Sequence, residues 1–80
     1  MSANKARFIA VLTDQYAQLF ETAEYALARA RYTPAAMAEK MTDGMVDGSA
    51  NKDGDGIKRT CKALGIKHTY KAIGEYLNAA

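Results

Sequence analysis

The sequence predicts an all-α domain, and three observations carry that prediction. Apolar residues recur at helical intervals of three and four, and no stretch alternates as a half-buried strand does. The helix punctuation is explicit: Thr33-Pro34 opens a segment, Gly44 or Gly48 closes it, and Gly65 closes another. The chain has 80 residues, enough for one core with a thin stability margin. The expectation is a single domain over 1–80, a small bundle of four to five short helices. Its N-terminal helices occupy 1–48, a loop occupies 49–56, and a cationic helical hairpin occupies 57–80.

The first helix is expected from about Asn4 to Phe20. Phe8, Leu12, Tyr16 and Leu19 form its stripe, Ile9 and Phe20 widen it, and Lys5, Arg7, Asp14 and Gln18 fall largely outside. Ser2 and Asn4 are both cap candidates. After a break at Glu21-Thr22, the run TAEYALARARY has strong helix formers but few large apolar side chains. It reads as a short helix or a continuation of the first. In the next helix Thr33 caps and Pro34 takes the first position, where its missing N–H costs nothing. Met37, Met41 and Met45 suit irregular core gaps or an adaptable contact surface.

The stretch GSANKDGDG is a loop by composition. Asp55 is the cap expected for the helix that follows, whose stripe is Ile57, Cys61 and Leu64. The last helix is expected directly after Gly65, with Ile66, Tyr70, Ile73 and Leu77 on one side. Gly74 within it costs about 1 kcal/mol relative to alanine and marks either a close helix contact or a weak end. The predicted core is Phe8, Leu12, Tyr16, Leu19, Ile57, Leu64, Ile66, Ile73 and Leu77.

Composition narrows the function classes. No run approaches the roughly 18 apolar residues of a membrane span. Behind MSANKARF the apolar stretch is too short for a signal peptide, so the expected location is cytoplasmic, with no membrane partner. Cys61 is the only cysteine and His68 the only histidine. Together they fall short of a structural zinc site, and Cys61 sits on an apolar stripe where a thiol is unreactive. GDGIK lacks the ending of a phosphate loop, and no strand precedes it. The expectation is a non-enzymatic protein with no cofactor, no metal and no catalytic residues.

Asn51, Asp53, Asp55 and Gly56 resemble the start of an EF-hand calcium loop. That family closes its loop with a bidentate carboxylate, and Lys62 stands at the corresponding place. The run is also an ordinary turn ending in a helix cap, and calcium binding is not expected.

Net charge is only +2, but it is unevenly placed. Residues 1–50 carry five Lys/Arg against six Asp/Glu, whereas residues 57–80 carry five against Glu75 alone. A local cluster sets a local potential. In RTCKALGIKHTYKAIGEYL, Cys61, Gly65 and Ile66 resemble the small residue, turn glycine and apolar anchor of helix-turn-helix DNA-binding proteins. That resemblance implies that Lys67, His68, Thr69 and Lys71 open a reading helix, with Lys58, Arg59 and Lys62 on its bracing partner. The chain departs from the pattern where Lys71 takes an apolar place, with Tyr70 and Ile73 apolar instead. No Arg, Asn or Gln precedes Asn78 in the reading helix, so phosphate or shape recognition is favoured over base readout.

Over its whole length the chain also resembles short proteins carried by phages and integrative mobile elements, on NKDGDGIKRTCKALGIKHTYKAI and the aromatic-rich first helix. That resemblance implies a small regulator or an inhibitor of a host complex, anti-CRISPR-like. The partner expected for Lys58, Arg59, Lys62, Lys67, His68, Thr69 and Lys71 is nucleic acid, or alternatively an acidic or nucleic-acid-binding protein complex.

Overall fold

The longest helix, α1 (Ala3–Leu19), is the axis on which the others pack. In the computed structural model, which describes residues 1–79, it is followed by a 3₁₀ turn (Ala23–Tyr25) and α2 (Ala26–Arg31). Then come α3 (Pro34–Asp47), α4 (Asp55–Leu64) and α5 (Tyr70–Asn78). The protein is all-α: the described residues form five α-helices and no strand. None of these helices is long and apolar enough to cross a membrane. Ala80, the end of the expected cationic segment, lies outside the described residues.

The spacing of α1 explains its role. Phe8, Leu12, Tyr16 and Leu19 are buried along one stripe, joined by Phe20. Helices α3, α4 and α5 all pack against α1, and α5 also packs against α3. One core results, completed by Ala38, Met45, Ala50, Ile57, Cys61, Ile73 and Leu77. Ser2 closes the N-terminus of α1 twice over. Its Oγ accepts the Lys5 N–H at 3.1 Å and donates to the Leu77 carbonyl at 3.0 Å. Asn4 Nδ2 donates to the Tyr76 carbonyl at 3.0 Å, so both cap candidates tie the start of α1 to the end of α5.

Thr33 caps α3 as expected, its Oγ1 accepting the Ala36 N–H at 3.1 Å. Gly48, left-handed at φ 80°, ends it. α2 is the exception to shared burial. It has no buried residue, and Leu27 is 79% exposed. Arg29, in its last turn, holds it to the segment after α1, donating to the Phe20 and Thr22 carbonyls at 2.9 and 2.8 Å.

Three expectations are corrected. The cap of α4 is Gly54, and Asp55 is already helical, so the loop is two residues shorter than composition suggested. The last helix begins at Tyr70 rather than after Gly65, because Thr69 is extended and caps it, Oγ1 accepting the Ala72 N–H at 3.1 Å. Leu64 and Ile66 are half-buried, at the edge of the core rather than within it. The close-packed glycines are Gly44 and Gly56, not Gly74. A Cβ on Gly56 would stand 2.6 Å from the Tyr16 ring, one on Gly44 2.7 Å from Ala50 Cβ, and one on Gly74 would meet nothing.

Candidate nucleic-acid interface

The sequence of α4 divides it lengthwise. Gly56, Ile57, Thr60 and Cys61 turn inward, and Asp55, Lys58, Arg59 and Lys62 turn outward. Lys58 and Lys62, four residues apart, are neighbours on the solvent side. Arg59 lies toward the 3₁₀ turn, where it lowers the pKa of Tyr25. Burial outweighs that effect and, with Asp55 and Glu24, holds the phenol above its ordinary value.

Gly65, left-handed at φ 71°, ends α4, and the Ile66 N–H closes the turn onto the Cys61 carbonyl at 3.0 Å. Lys67 and His68 then follow as exposed residues of an irregular connection, before the Thr69 cap. The implied reading helix therefore does not carry Lys67, His68 or Thr69, and the Thr69 hydroxyl is occupied by its cap. Lys71 alone of the four is helical, exposed on the first turn of α5. α4 and α5 are each seated on α1, and their contact with each other is minor.

The connection is braced from the preceding loop. Tyr70 Oη donates to the Ala50 carbonyl at 2.8 Å, and His68 Nε2 lies 3.7 Å from Asp53 Oδ1. Asp53 also receives Lys52 Nζ at 3.1 Å. Asn51 Oδ1 accepts the Asp53 N–H at 2.9 Å, an Asx turn. Two of the side chains that resembled a calcium loop, Asn51 and Asp53, are thus used within the chain. No group of three His, Cys, Asp or Glu side chains gathers among the described residues.

Among the described residues, Lys58, Arg59, Lys62, Lys67 and Lys71 have no carboxylate within 4.0 Å, and all five are exposed. Asp53, Asp55 and Glu75 are the acidic neighbours along the segment.

The one Cys and the one His have separate surroundings. Cys61 is 1% exposed, and burial pushes its thiol up to about 11. His68 is exposed beside Asp53. Elsewhere, a surface depression of 370 Å³ lies between α3 and the following turn, lined by Lys40, Asp43, Asp47 and Ser49 among others. Its groups are engaged locally: Asp43 pairs with Lys5 at 3.4 Å, and Asp47 accepts the Ser49 N–H at 2.9 Å. Two signals were missed in the sequence. The first is Tyr70, assigned to the core stripe but 41% exposed within the cationic segment. The second is the bracing of that segment by Ala50 and Asp53, which depends on contacts distant along the chain. Comparison with protein-family models, with curated proteins and with solved structures found no match to this chain.

Proposed function

We propose that this protein is a small non-enzymatic module that binds nucleic acid through the cationic surface of α4, the 65–69 connection and the first turn of α5. One observation carries the reading: five exposed Lys/Arg side chains in the last 24 residues, none paired with a carboxylate among the described residues. Exposed, unpaired cations on a folded surface attract phosphates and release their counterions. Lys58, Arg59, Lys62, Lys67 and Lys71 supply the charge, and His68 adds a further one when protonated. Thr69 acts through its cap, setting where α5 begins and hence where Lys71 stands. Recognition is of backbone rather than bases, since α5 offers no Arg, Asn or Gln before Asn78.

Fluorescence anisotropy with labelled oligonucleotides at low salt tests this. The wild type is expected to bind. A variant combining Lys58→Ala, Lys62→Ala, Lys67→Ala and Lys71→Ala is expected to lose binding while keeping its helical circular dichroism. Failure of the wild type to bind any oligonucleotide, together with charge-dependent capture of a purified acidic protein, would move the assignment to the inhibitor reading.

A further inference from the structure

Tyr70 is the one exposed aromatic among the described residues; the others are buried or half-buried. It stands at the start of α5 with Lys67 and His68 before it and Lys71 after it. Its hydroxyl is fixed by donation to the Ala50 carbonyl at 2.8 Å, while 41% of the residue still faces solvent. A ring held this way needs little ordering on binding. Cationic side chains around an exposed aromatic are the arrangement that single-stranded nucleic acid uses. Phosphates follow the charge and an unpaired base stacks on the ring. A duplex keeps its bases stacked internally and is read from the major groove by Arg, Asn or Gln, which α5 lacks before Asn78.

We infer that Tyr70 is a stacking platform for an unpaired base, and that the ligand of the cationic surface is single-stranded nucleic acid. This rests on the nucleic-acid reading above and narrows it. Asp53, 3.7 Å from His68, limits the charge at one edge, and Lys52 offsets it at 3.1 Å.

The experiment compares a short labelled oligothymidylate with a duplex of equal length, against wild type, Tyr70→Phe and Tyr70→Leu. The strand is expected to bind more tightly than the duplex. Tyr70→Leu should weaken the strand by roughly five- to hundredfold, as loss of one base–aromatic stack does. It should leave the duplex unchanged, and Tyr70→Phe, which keeps the ring but loses the bond to Ala50, should weaken the strand less than Tyr70→Leu does. An NMR titration of the wild type covers the case in which Tyr70→Leu fails to fold. The Tyr70 ring resonances, assigned by their absence in Tyr70→Phe, should move upfield as the strand is added. Equal strand affinity for Tyr70→Leu and wild type, tighter binding of the duplex, or unmoved ring resonances would each overturn the inference. If binding then still depends on Lys58, Lys62, Lys67 and Lys71, the nucleic-acid reading survives without it. If the wild type binds neither probe, both fall.

Discussion

The cations of the N-terminal half and those of the C-terminal segment are equal in number and different in use. Of the five in residues 1–50, Lys5 pairs with Asp43, Arg29 donates to the Phe20 and Thr22 carbonyls, and Lys40 stands 5.9 Å over the Tyr32 ring. Arg7 and Arg31 have no such partner among the described residues. Of the five in residues 57–80, none has one among the described residues. Three of the first group make contacts within the fold, and the second makes no ion pair among the described residues. A charge count alone does not separate the two roles; the partners of each side chain do.

The largest expected effect asks whether both groups ride on one core. Ile57 and Ile73 are fully buried, one on α4 and one on α5. Truncating either to alanine should cost about 2–5 kcal/mol, enough to unfold much of so small a domain. Thermal melting checks this. Melting of α4 or α5 apart from the rest would break the single-core account. Glycine substitutions sharpen it. Gly56→Ala drives a Cβ into the Tyr16 ring and should lose about 1–3 kcal/mol by overpacking. Gly74→Ala, in open space, should gain up to about 1 kcal/mol in helix propensity. The same sign for both in urea unfolding would contradict the packing of α4 on α1.

Next in size comes the direct contrast of cations. Arg29→Ala removes two hydrogen bonds to carbonyls and should lower stability by about 1–2 kcal/mol. Lys67→Ala removes no ion-pair partner among the described residues and should stay within about 0.5 kcal/mol of wild type. Equal losses would erase the distinction drawn above.

A smaller effect concerns the hidden face of the cationic helix. Burial raises the Cys61 thiol from an ordinary 9.0 to about 11, so the folded state holds its proton more tightly than the unfolded state does. The stabilisation is complete below pH 9 and is lost as pH rises through about 11, since unfolding releases a proton in that window. Tyr16 and Tyr25, also raised by burial, add loss of the same sign at higher pH. Cys61→Ala should flatten the lower part of the decline in urea stability. An unchanged profile would place Cys61 outside the core. Smallest of all, millimolar calcium should leave the melting temperature where it is. A chelator-reversible rise abolished by Asp53→Ala would show that the Asx turn and the Lys52 pair yield to the ion.

Periodicity and punctuation made most of the fold legible. The α1 stripe, the Thr33-Pro34 opening, the left-handed Gly65 and the buried Cys61 all follow from residue type and spacing. Two things could not be read locally. The last helix begins at the Thr69 cap rather than after Gly65, and Tyr70 beside that cap reaches the Ala50 carbonyl, 20 residues away in sequence. Tyr70, expected on the apolar stripe, is an exposed ring, and Lys67 and His68 precede the helix. Gly56 likewise resembles a loop glycine until Tyr16 lies against it. The cationic segment itself was visible from charge placement. The absence of carboxylate partners among the described residues was not, because pairing is set by tertiary packing.

The central claim is that the C-terminal cations meet phosphates and the engaged N-terminal ones do not. The salt dependence of oligonucleotide binding tests it most directly, measured for wild type, Lys67→Ala and Lys40→Ala. Three to five phosphate contacts predict a log–log slope of roughly −2 to −4 for a single strand. Lys67→Ala should flatten the slope by about 0.7, one contact's worth, and Lys40→Ala should leave it unchanged. A slope near zero, or the same flattening in both variants, would contradict the account.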